Sequence, residues 1–104
     1  MPRSRRRDIR QIANLIGNAA VHVALYPGQY KRVGEAMEYF GQAAAVAEKR
    51  TWNLEEIERC RELAYRRVDT EFRRRAASYS REELAQLATK ARHEVDKFID
   101  EEMR

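Results

Sequence analysis

The sequence is short of the residues that staple or break a chain. Cys60 is the only cysteine, which excludes an intramolecular disulfide and a multi-cysteine zinc site and makes a reducing compartment, the cytoplasm, the expected location. Four glycines and two prolines in 104 residues leave little material for long loops. No apolar run approaches the ~20 residues that cross a bilayer, so no membrane role is expected. The opening "MPRSRRRDIRQIANLIGNAAVHVALY" has the basic-then-apolar order of a targeting peptide. Asp8, Asn14, Asn18 and His22 interrupt its apolar part, and a cleaved presequence is not expected.

The groupings that carry catalysis are missing as well. No Glu-x-x-His or His-Glu-x-x-His pair offers metal ligands on a helix, and no glycine-rich phosphate loop occurs. No enzyme activity, metal or cofactor is therefore expected. Cys60 reads as a small buried hydrophobe and His93 as a solvated side chain. Acidic residues are scarce at one end: residues 1–34 carry seven Lys or Arg against the single acid Asp8. The formal net charge of +4 is concentrated there.

What the chain does have is helical periodicity. Apolar residues recur at a 3.6-residue period in four blocks, which begin at Ile9, Tyr30, Leu54 and Leu84. In "TWNLEEI", Asn53 can cap the first free amides while Glu56 reaches back, with Trp52 stapled to Ile57. "YSREEL" repeats the design with Ser80, Glu83, Tyr79 and Leu84. "DIRQI" offers a weaker version through Asp8 and Gln11. Arginines in a first helical turn oppose the helix dipole, so residues 1–7 are expected to form a flexible basic arm ahead of one domain over 8–104. Pro27 and Gly28 separate the first two blocks.

The predicted helices lie near 9–26, 29–50, 54–77 and 81–103. At 1.5 Å per residue they reach ~27–36 Å, similar lengths on short connections, which predicts an all-α fold: a four-helix up-and-down antiparallel bundle with short loops. The third and fourth helices have one apolar stripe each, but the first two are apolar over a wider arc. Leu15, Ala19, His22 and Tyr26 form a second stripe on the first helix, and Gly34, Gly41 and Ala45 a flank of small residues on the second. Because no helix of a square bundle is enclosed, these residues are assigned to a homo-oligomer interface, with a dimer favoured. His22 is expected to be buried, hydrogen-bonded or interfacial rather than a base.

Charge divides the arginines. Glu55 and Arg59, Glu62 and Arg66, and Asp69 and Arg73 are three acid-first pairs at i,i+4, expected to form a ladder along the third helix. Arg74 and Arg75 have too few acids near them, and an up-and-down bundle is expected to bring this end close to Lys31, Arg32 and Arg81. Two functions follow. One is a non-enzymatic interaction module that self-associates through the first two helices and presents charged faces to a protein partner. The other is a sequence-tolerant nucleic-acid-binding accessory protein, gripping phosphates with Arg5, Arg6 and Arg7 of the arm and with Lys31, Arg32, Arg74, Arg75 and Arg81.

Overall fold

The computed structural model describes residues 2–75 and 77–104, apart from the side chains of Arg32 and Arg75. It is an all-α bundle of four helices, α1 (Arg3–Leu25), α2 (Tyr30–Ala47), α3 (Leu54–Arg75) and α4 (Arg81–Glu102), joined by short connections. Sequential helices run antiparallel. Arg5 meets Glu56, which sets the starts of α1 and α3 side by side, and Arg50 meets Asp8, which returns the end of α2 to the start of α1. Gly28, at φ 77°, takes the left-handed conformation that turns the chain from α1 into α2.

Both predicted capping boxes form. Asn53 Oδ1 accepts from the Glu56 amide at 2.8 Å while the Asn53 amide donates to Glu56 Oε1 at 3.1 Å. Ser80 and Glu83 make the same exchange at the start of α4. The end of α2 comes at Ala47 rather than near residue 50. Trp52 Nε1 donates to the Ala47 carbonyl at 2.9 Å, a terminal acceptor that a longer helix would have kept for itself.

The start of α1 differs most from expectation. Residues 3–7, assigned above to an arm, are the first turns of the helix. The dipole argument is outweighed by tertiary contacts, because Arg5 donates from Nε and Nη2 to both oxygens of Glu56 and from Nη2 to the Thr51 carbonyl, all within 2.6–2.8 Å. Its guanidinium also lies 5.4 Å from the centre of the Trp52 ring. Asp8 is not a cap. It is a buried mid-helix carboxylate that accepts from Arg50 at 2.6 Å.

α1 is the centre of the bundle. It packs against each of the other three helices, α3 packs against α4, α2 touches α4 only slightly, and α2 and α3 share no contact among the described residues. Its small and branched side chains permit this: Ile9, Ile12, Ile16, Ala13, Ala20 and Ala24 are all buried. The core continues through Ile57, Ala64, Val68 and Phe72 of α3 and Ala91, Val95 and Ile99 of α4. α2 adds mainly the small side chains Ala36, Ala43, Val46 and Ala47, which let it pack closely on α1 while it barely touches α4. Tyr30, Met37 and Leu54, which the periodicity places with the apolar stripes, are exposed.

Candidate interaction surfaces

The first-helix stripe assigned to an oligomer interface is mostly internal. Ala19 and His22 are buried, and Leu15 and Tyr26 are half-buried and pack onto the same core. The expectation assumed that every helix of a bundle keeps an open side. Here α2 and α3 both sit on α1, and the enclosed helix uses its second stripe to hold α2. His22 Nδ1 donates to the Asn18 carbonyl at 2.9 Å, its Nε2 lies 3.6 Å from Glu35, and its ring sits edge-on to Tyr39.

The second-helix flank stays open. Gly34, Gly41 and Ala45 are exposed, and a Cβ added at either glycine would meet nothing within 4 Å. The two glycines belong to a longer seam, with Ala45 at its edge. Tyr30, Gly34, Met37, Gly41 and Ala44 follow the alternating four- and three-residue spacing of a coiled-coil face, with Tyr30 95% and Met37 64% exposed. Beside the seam, the slight contact between α2 and α4 leaves a groove of about 480 Å³. Its floor includes Val23, Val33, Phe40 and Phe98, and its α4 rim carries Glu94, Lys97, Glu101 and Glu102.

The basic residues fall into three settings. Arg5 is committed internally, and with it Glu56 is held down at about 2, chiefly by the Arg5 hydrogen bond and further by the Asn53 amide. Arg3, Ser4, Arg6, Arg7 and Arg10 line an open depression of about 790 Å³ on the outer side of α1. Arg3 and Arg10 escape notice when residues 1–7 are read as an arm. Once α1 starts at Arg3, the spacing 3, 7, 10 places them on one helical face. At the far end, Lys31, Arg74 and Arg81 are exposed on three different helices, and the α2–α3 juxtaposition expected to gather them does not occur. Arg74 lies 3.4 Å from the buried Glu71, which also holds Arg67 at 3.0 Å. The side chains of Arg32 and Arg75 lie outside the described residues.

The charge ladder forms in part. Arg66 donates to Glu62 at 2.6 Å, but Arg59 turns forward to Glu62 and Asp69 meets Arg92 of α4. Arg61 and the Tyr65 hydroxyl both donate to Asp96, a second α3–α4 tie. The Tyr65 hydroxyl is pushed up by burial. Cys60 is buried, and burial pushes its thiol up to about 12, so it is no nucleophile near neutral pH. Sequence reasoning placed Glu56 only as a cap, because a carboxylate at a helix start carries no mark of an arginine supplied by tertiary structure, and it missed that Glu71, whose arginine partners Arg67 and Arg74 lie on its own helix, is buried. No group of three His, Cys, Asp or Glu residues that could hold a metal occurs among the described residues, and no described helix is long and apolar enough to cross a membrane. Known protein families, curated proteins and solved structures contain no match to the chain.

Proposed function

We propose that the chain is a small non-enzymatic interaction module of a reducing, intracellular compartment. It pairs with a second copy through the outer face of α2 and presents the charged faces of α3 and α4 to a protein partner. The observation that carries this reading is the seam of exposed Tyr30, Gly34, Met37 and Gly41, continued by half-buried Ala44, a coiled-coil spacing without a covering helix in the monomer. An antiparallel pair of α2 helices related by a two-fold axis near residue 39 would set Met37 of each copy over Gly41 of the other and Gly34 over Ala44. The same register brings Lys31 toward Glu48 of the second copy, an opposite-charge pair that both copies can make. Glycine lets the backbones approach, and methionine fills the space left.

Gly41→Glu and Ala45→Glu test it, since each would bury an unpaired carboxylate in the pair at a cost on the order of 3 kcal/mol. Both variants should elute as single chains in size-exclusion chromatography with light scattering. Gln86→Glu, on the exposed side of α4, should leave the wild-type dimer mass unchanged. A wild-type monomer, or seam variants that keep the dimer mass, would remove the proposal.

A further inference from the structure

We infer that the outer face of α1's first two turns binds the backbone phosphates of a nucleic-acid duplex, through Arg3, Arg7 and Arg10 with Arg6 beside them. These arginines surround one open depression, and among the described residues Arg3, Arg7 and Arg10 have no ion pair. Arg5, inside the same run, points the other way and ties α1 to Glu56. That tie makes the face rigid: the helix holds the exposed guanidiniums in fixed register, which lowers the ordering entropy a flexible arm would lose on binding.

The electrostatics of this end are one-sided. The first turn of α1 contains no acid, its cap residue Pro2 offers no side-chain acceptor, and the free amides add the positive end of the helix dipole to the arginines. A polyanion there relieves repulsion that the fold otherwise carries. From Arg3 to Arg10 the helix rises ~10 Å, the axial length of about three phosphates of one strand. On the α3 side, the groove next to Arg6 and Arg10 carries Glu55, Glu58 and Glu62, which would repel a strand and confine it to the outer face.

The ligand class follows from what surrounds the patch. No aromatic ring lines it, and the nearby Trp52 is taken up by the guanidiniums of Arg5 and Arg50, 5.4 and 5.9 Å from its ring centre, with its indole bonded to Ala47. Base stacking, which single-strand binders use, is not available there. The lining also has no apolar side chain to insert into a bilayer, which favours a duplex over an anionic membrane. Contacts to phosphates alone carry no direct sequence information.

The test is anisotropy of a short fluorescein-labelled duplex DNA of mixed sequence, titrated with the full chain across a salt series. Three phosphate contacts predict a slope of log affinity on log salt of about −2.7, hence about 40-fold weaker binding when salt rises from about 50 to about 200 mM. A duplex of scrambled sequence should bind equally well. The triple variant Arg3→Gln, Arg7→Gln, Arg10→Gln should lose nearly all of that slope, while Arg73→Gln with Arg81→Gln keeps it. Circular dichroism should show both variants fully helical, since every substituted side chain is exposed. Absence of wild-type binding at about 50 mM salt, equal losses in the two variants, or binding to phosphatidylserine vesicles in place of the duplex would each overturn the inference.

Discussion

Gly17 lies at a close approach of α1 to α3, and its demand is tertiary. A Cβ at this position would lie 2.7 Å from Arg67 Cβ and 2.9 Å from the Ala64 carbonyl oxygen, backbone that cannot yield without moving α3. Gly17→Ala should therefore destabilise by ~1–3 kcal/mol, although alanine is intrinsically the better helix former by ~1 kcal/mol. Gly34→Ala, in open space, should show only that propensity gain in the monomer. Urea melts of the two variants should move in opposite directions, and a stabilised Gly17→Ala would mean the two helices are farther apart. Nothing in "NLIGNAA" distinguishes this glycine from a tolerated one, since its neighbours come from α3.

Glu56 carries a pH signature. Its ordinary value of 4.5 falls to about 2 in the fold, first because of Arg5 and then the Asn53 amide. A folded value below the unfolded one means a contribution that is complete above pH about 4.5 and lost as pH falls toward about 2. Arg5→Ala removes the main cause. The stability gap between wild type and Arg5→Ala should be widest above pH about 4.5 and close on approach to pH about 2. Denaturant melts across that range check it, and a gap independent of pH would assign Arg5 a packing role only.

Among the elements, α3 and α4 were the most legible. Their caps are local chemistry, readable from four residues, and Asn53→Ala and Ser80→Ala should each cost ~0.5–2 kcal/mol of stability with the helical spectrum retained. Thermal or urea melts unchanged by both substitutions would show that the boxes contribute nothing to the folded state. α1 was the least legible at its start, because an intrinsic argument about arginines and the dipole, worth only ~0.3–1 kcal/mol per charge at an exposed site, competes with Glu56, Thr51 and Trp52. The ladder on α3 formed only in part for a related reason. Asp69 and Asp96 find partners between α3 and α4, where the opposing helix offers Arg92 and, from α3, Arg61.

For the whole molecule, periodicity and short loops were enough to specify four antiparallel helices, but not which helix would be central. That depends on how many sides of each helix can be covered, and α1, rich in alanine and isoleucine, packs against all three other helices and is buried almost all round over its second half. The same arrangement explains why the interface stripe of Leu15, Ala19, His22 and Tyr26 turned inward while Gly34, Gly41 and Ala45 remained outside. α2 is held by small side chains on one face and exposes Met37 and Tyr30 on the other, which is the reason for assigning that face to a second copy. Sedimentation equilibrium of the wild-type chain at on the order of 0.1 mM, where a complex of micromolar Kd is largely formed, addresses this directly. The α2 seam predicts a mass twice the 12.3 kDa of one chain. A single species at 12.3 kDa would contradict it.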